Sequence, residues 1–407
     1  MNFSLNTLLI LFVASIGVDR VNFLPDGNFT LTPFLIISFL LIFFLLLLKL
    51  EKINSNWFMN DKKLSLTLSM FILFILISIP FSQDIYFSFK RLILLIYIIF
   101  STLLIFISFD KKDLYENIYK GSIVGSILFY IFNIMLVLTW LGNVNIDNTF
   151  INFEPHTLSY FIPRLGGFSE DVNRGGFVLI LFTYIMLIYK NKIKLNSLFI
   201  VFNIFFLFCT LSRSSIVFFV VTSLIYTTYY ASKDFKNRYI IYVLLLFSTF
   251  IISINYLSQL NIIDLPSVID ERISIEDKGH DSSSSIHFML IEDAIENIGS
   301  SAKIFLIGNG HGTSYKLIDG YRMSGKKFAN FHSQYLSVFV ENGIFAFLSL
   351  LYLTFIYPLY SRGNVFLPLV LGLFAFNLFY QLTNEPAYWF TIFLFYFASK
   401  EKYKFNK

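Results

Sequence analysis

The stretch NFHSQYLSVFVENGIFAF (330–347) carries a histidine at its entrance and a carboxylate inside an otherwise apolar run. A neutral imidazole accepts a proton near pH 7, so His332 at a water–lipid boundary could activate a hydroxyl. The alternative is a histidine that anchors a helix at headgroup level. On an α-helix, Gly343 returns to nearly the same face as His332, roughly 16 Å deeper. Glu341 points to the opposite side, so it and His332 are not expected to act as a direct acid–base pair.

A second group of residues is basic. RLGGFSEDVNRGG (164–176) sets Arg164 among glycines and Arg174 beside Asn173, Gly175 and Gly176, which open an apolar run. Free N–H groups and the dipole at a helix start favour an anion. Arginine forks fit phosphate oxygens in two-point geometry. Solvated charges behind an ordinary N-cap would leave the same residues. In CTLSRSSIVFF (209–219), Arg213 occupies a tight turn between two apolar runs. It either faces a polar cavity or snorkels from a helix end. YRMSGKK (321–327) offers Arg322 as a surface charge or an anion contact, and TNEPAYW (383–389) places Glu385 as a helix-end cap by default. LIGNGHGTSYK (306–316) imitates a phosphate loop but lacks the Gly-Lys-Ser/Thr and the strand–helix frame. It is read as a glycine turn with a solvated His311. IEDKGHDSSSS (275–285) has carboxylates near His280 at no metal-ligand spacing and is read as a solvated loop. No metal or cofactor is expected.

The elements that must position these residues are membrane helices. Hydrophobic residues make up 56% of the 407 and charged residues 14%, against about 25% charged in soluble domains. With 52 phenylalanines, the chain cannot hide its apolar surface in one soluble core. Long apolar runs broken by short charged loops predict an all-α integral membrane protein. The net charge of +5 is small and makes no case for nucleic acid. Cys209 is the only cysteine, which rules out an intramolecular disulfide and a cysteine metal site. About twelve transmembrane helices are expected, at 4–18, 33–50, 64–81, 92–109, 118–140, 175–190, 195–211, 214–231, 239–257, 333–358, 364–381 and 387–399. The first is read as an uncleaved helix, since it lacks a basic start and a clear cleavage site.

Lysine and arginine concentrate in alternate loops and in the tail, which puts both termini in the cytoplasm. Arg164, Arg213, Arg322, His332 and Glu385 then all map to the outward face. The chain reads as one polytopic domain, 1–407, with outward loops at 141–174 and 258–332. The second is a periplasmic loop subdomain inserted before the last three spans. Within it, SIHFMLIEDAIENIGS (285–300) repeats His287, Ile291, Ala294 and Ile298 at helical spacing and is expected to lie on the membrane rim. No internal repeat is visible, which counts against a transporter with polar sites at the midplane. Basic forks and an imidazole on one face suit a lipid-linked diphosphate at the outer leaflet.

These motifs resemble the O-antigen polymerase and ligase superfamily of bacterial envelope glycan assembly. Arg164 to Gly175 fits the arginine, ten residues, glycine pattern of polymerase loops, with Asn173 at a recurrent asparagine. LSRSS resembles the family's Ser-Arg turn and gives Arg213. His332 to Gly343 fits the histidine, ten residues, glycine pattern common to both activities. DAIENI followed by LIGNGHG looks like the family's helix and glycine turn before that histidine. The chain departs from the pattern at the start of the amphipathic helix, where many members carry arginine and this one has His287; Arg272 or Arg322 could substitute. Ala346 stands where many ligases have Gly, Thr or Tyr, which favours the polymerase, as does the complete Arg164 pattern.

The resemblance implies transfer of a glycan from undecaprenyl diphosphate to a sugar hydroxyl at the outer face of the inner membrane. It implies His332 as the base and Arg164 and Arg213 as the diphosphate grip. Arg174, Asn173, Arg322, His287, Arg272 and Glu385 are expected as further substrate contacts. The implied partners are an undecaprenyl-diphosphate-linked oligosaccharide, membrane lipid and a chain-length regulator protein. A ligase acting on lipid A core is the near alternative, and a lipid-linked oligosaccharide flippase is the alternative of another class.

Overall fold

The computed structural model describes residues 2–24, 30–49, 62–142, 150–154, 156–157, 163–189, 196–234, 283–318, 329–361 and 364–398. The expected span 239–257 and the residues His280, Arg272 and Arg322 lie outside this set. The described chain is helical apart from a two-residue hairpin, β1 (His156–Thr157) with β2 (Pro163–Arg164), and one isolated bridge. Among the described residues, four helical stretches are long and apolar enough to cross a membrane: Lys62–Phe81, Ile85–Ser108, Lys111–Trp140 and Gln334–Tyr360. Shorter apolar helices lie at the other expected spans among the described residues. The chain is therefore a multi-pass membrane protein.

It divides into two compact units. The first comprises Met1–Lys52 and Ser108–Ser274. Its helices are α1 (Asn2–Ser15), α2 (Pro33–Lys49), α3 (Lys111–Trp140), α4 (Val172–Ile188), α5 (Asn196–Cys209) and α6 (Arg213–Asp234). Helix α4 is apolar all round and buried without interruption from Gly175 to Met186, so it forms the centre of this unit. Polar residues tie the apolar helices together. Tyr130 donates to Asn203 at 2.6 Å, and Asn203 donates to Ser126 at 3.1 Å, bonds that act between helices where no water competes.

The second unit comprises Ile53–Ile107 and Ile275–Lys407. It contains α7 (Lys62–Ser78), α8 (Ile85–Ser108), α9 (Ser283–Ser300), α10 (Ala302–Leu306), α11 (Gln334–Leu351), α12 (Leu367–Asn377) and α13 (Pro386–Ala398). A π-helical turn, Tyr352–Ile356, continues α11. Helix α8 starts about two turns before the expected span and takes in Lys90 and Arg91, which the sequence placed in a loop. Asp84 explains the extension: its side chain accepts the Phe87 N–H at 3.0 Å and starts the helix early. In α3 the same happens to Lys111 and Lys112, and Lys120 is paired to Glu116 at 2.9 Å one turn back.

Helix α11 is not continuous. Gly343 sits at φ 76, ψ 177 inside it, a left-handed backbone that favours glycine. The helical ladder is interrupted there. Helix α9 is amphipathic, with Ala294 and Ile298 of the expected face packed beside the buried Leu290 against Ile304, Ile318, Phe331 and Val340, while Ile291, also expected there, is half-buried.

Candidate functional site

In the first unit, Arg20 builds the loop that carries Arg164. It is 2% exposed. Its Nε donates to the carbonyls of Gly167 (2.9 Å) and Ser169 (3.0 Å), and its Nη1 to those of Asn152 (3.0 Å) and Glu154 (3.1 Å). A guanidinium is suited to this task because its donors point in a fixed fork. Nothing in the sequence singles Arg20 out for this role.

The loop so formed brings three expected residues to one turn. Arg164 donates from Nε to Thr210 O at 3.2 Å and from Nη2 to Leu211 O at 3.4 Å. The Leu165 N–H donates to Cys209 O at 3.1 Å. Leu211 turns the chain with φ 51, and Arg213 follows as the first residue of α6, exposed to its surroundings. The Asn173 side-chain oxygen accepts from the hydroxyls of Ser212 (2.6 Å) and Ser214 (3.2 Å). Arg164, Asn173 and Arg213, far apart in sequence, thus converge on residues 210–214.

Arg174 is directed elsewhere. Its Nη2 lies 2.7 Å from Asp19 Oδ2, each side chain about a quarter exposed. The helix start that the sequence offers to an anion holds one from the chain itself. The Asp171 carboxylate accepts the N–H groups of Asn173 (2.7 Å) and Arg174 (3.3 Å) as the N-cap of α4.

In the second unit, His332 immediately precedes Ser333, the N-cap of α11. Its backbone is left-handed (φ 50), and its N–H donates to Asn330 Oδ1 at 2.8 Å. The His287 ring from α9 meets the His332 ring edge-to-face, with centroids 4.5 Å apart. Two imidazoles 45 residues apart in sequence are thereby paired, both half-buried. Glu385 stands just before α13, where its N–H donates to Leu382 O at 2.9 Å.

The glycine turn departs from expectation. His311 is not solvated but wholly buried. Burial pushes its pKa down to about 4; the contact with Asn384 (3.4 Å) opposes this and the Arg91 charge adds to it. Its Nδ1 lies 3.7 Å from the buried Glu341 carboxylate, beyond hydrogen-bond range. Glu341 accepts the N–H groups of Gly312 (2.9 Å) and Ser314 (3.3 Å), and the Ser314 hydroxyl. A carboxylate within a membrane span was the one local signal of this cluster. The partners that satisfy it come from a loop whose sequence resembles an open turn. Among the described residues, no group of three or more His, Cys, Asp or Glu gathers as metal ligands would.

The fold is that of a multi-pass membrane protein. An arginine-bearing turn belongs to one unit and a histidine pair to the other. Residues 198–351 match the family model described as O-Antigen ligase. The matched stretch contains Arg213, His287, His332 and Gly343, while Arg164 and Asn173 precede it. Over that stretch the match bears out the resemblance to the O-antigen ligase and polymerase superfamily. No curated protein matches the chain.

Proposed function

We propose that this chain is an integral-membrane glycosyltransferase that polymerises undecaprenyl-diphosphate-linked O-antigen or capsule repeat units at the outer face of the inner membrane. In this reading it spans the membrane about twelve times, with both termini in the cytoplasm. The acceptor sugar hydroxyl attacks the anomeric carbon of the donor. The carbon–oxygen bond to the diphosphate breaks, and undecaprenyl diphosphate leaves with the bonding pair. His332 takes the hydroxyl proton as the new glycosidic bond forms. Negative charge grows on the leaving diphosphate, which Arg164 and Arg213 stabilise as preorganised cations.

The observation that carries this reading is His332 itself. It stands at the mouth of a membrane helix, its ring is held by His287, and it falls inside the stretch that matches the O-antigen ligase model. Asn173 and His287 are further donor contacts, and Arg174, Arg272, Arg322 and Glu385 are assigned to the same substrate. A chain-length regulator protein is the proposed partner.

A ligase that transfers the glycan to lipid A core is the second reading, favoured by the description of the matched model. The lipopolysaccharide of a deletion strain separates the two. Core capped by a single repeat means a lost polymerase. Bare core with polymer left on the carrier lipid means a lost ligase. Intermediates retained on the cytoplasmic face would point to a flippase and overturn both. Reintroduction of a normally expressed His332→Ala variant should fail to restore the lost product; full restoration would remove His332 from the mechanism.

A further inference from the structure

Glu341 and the turn at 308–314 have no part in the proposed reaction, yet they are tied together by a dense set of hydrogen bonds. Five donors of the turn converge on two residues of α11. Asn309 N–H donates to Val340 O (2.9 Å) and Gly310 N–H to Glu341 O (2.8 Å). The N–H groups of Gly312 and Ser314 and the Ser314 hydroxyl donate to the Glu341 carboxylate. The two carbonyls would ordinarily serve residues 344 and 345 in the helical ladder, and the non-helical backbone at Gly343 interrupts that ladder. The turn lies directly on the span: a Cβ at Gly308 would sit 2.2 Å from Glu341 O.

The turn continues into the apolar cluster that seats α9. Ile318 packs with Leu290, Ala294, Phe331 and Val340, and Asn297 donates to Leu317 O at 3.3 Å. Phe331 adjoins His332 and Leu290 lies one helical turn from His287. Packing and chain connectivity therefore link the Glu341 carboxylate to the paired rings.

We infer that Glu341 is a positioning residue for His332: its carboxylate clamps the glycine turn onto the broken helix, and the clamped loop holds His287 against His332. The role of His332 rests on the proposed function; the clamp does not. A displacement of the order of 1 Å at a reacting group costs up to about a hundredfold in rate. Loss of the clamp is thus felt as turnover while the protein still accumulates.

The test uses the full chain in a Cys209→Ser background. His287→Cys and His332→Cys are introduced together, and a short homobifunctional thiol reagent reports their apposition. With Glu341 intact, cross-linking should be efficient. Glu341→Gln, and independently Gly308→Ala, should lower it severalfold, and Glu341→Asp should recover part of it. With the two histidines in place, the same three variants are scored for polymer formed by membranes, normalised to the amount of chain. Glu341→Gln and Gly308→Ala should reduce it on the order of tenfold or more, again with partial recovery in Glu341→Asp. Unchanged cross-linking in Gly308→Ala or in an accumulating Glu341→Gln overturns the inference, as does lost polymer with cross-linking intact. If the unsubstituted chain makes no polymer while cross-linking still depends on Glu341, the proposed function falls and the clamp stands.

Discussion

Gly343 is the position at which one methyl group should do the most damage. Its backbone at φ 76, ψ 177 is a region in which an alanine is strained by about 1–3 kcal/mol. Space is also lacking. A Cβ would lie 2.3 Å from the carbonyl oxygen of Leu306, 2.6 Å from its carbon and 2.8 Å from Ile307 N. These are backbone atoms, and the Ile307 and Gly308 N–H groups are themselves bonded back to α10, so no side chain can rotate out of the way. Overpacking of this kind adds about 1–3 kcal/mol. Gly343→Ala should therefore destabilise the protein by roughly 2–6 kcal/mol.

Gly299 supplies the opposite case. It lies in the last turn of α9 with nothing within 4 Å of an added Cβ. Alanine there removes only the entropic weakness of glycine in a helix, a gain of up to about 1 kcal/mol. Thermal unfolding of the detergent-purified chain compares the two substitutions. Gly343→Ala should lower the midpoint by roughly 2–7 °C, or keep the chain from accumulating, while Gly299→Ala leaves it level or slightly raised. A Gly343→Ala chain that accumulates normally and melts within about a degree of the unsubstituted protein would mean that α11 runs straight through residue 343, and the reasoning fails.

Arg20→Ala should cost about 3–5 kcal/mol, since four buried or half-buried carbonyls lose a charged donor together; Arg20→Lys keeps the charge without the fork and should not restore the melting midpoint. His311 titrates at about 4 in the fold and near 6.5 in an unfolded chain. Between those values the unfolded state holds more protons, so stability is complete above the upper one and falls as pH drops towards the lower, by up to about 3 kcal/mol. His311→Asn should flatten that dependence in melts collected across the same range.

The membrane helices were legible because each is specified by its own local composition. Part of the amphipathic face of α9 was legible for the same reason, since Ala294 and Ile298 pack into the apolar cluster. What escaped sequence reasoning lies in contacts between distant segments. Arg20 resembles any other loop charge until its acceptors are seen, and these are 132 to 149 residues away. His311 reads as solvated because glycines surround it, yet those glycines mark close backbone approach: Gly310 faces Ser82, and Gly312 faces Arg91. Periodicity also places Glu341 on a regular helix, whereas its partners are set by the break at Gly343.

The glycine that ends the histidine–ten residues–glycine spacing acquires a physical reason from this geometry. A regular helix would satisfy its own carbonyls at 340 and 341 and leave no acceptors for a loop beyond the span. A break at residue 343 turns those carbonyls into acceptors, and Glu341 adds two carboxylate oxygens at the same level. The loop can then be bonded to the span by backbone groups, which carry no rotamer freedom and hold position better than surface side chains do. The distance from His332 to this attachment is fixed by the helical rise of the residues between them. A shift of Gly343 by one residue would move the acceptors about 1.5 Å along the axis and rotate them by about 100°, away from the turn that now meets them. The spacing is thus a structural length, the arm between the imidazole at the start of α11 and the point at which the glycine turn is anchored.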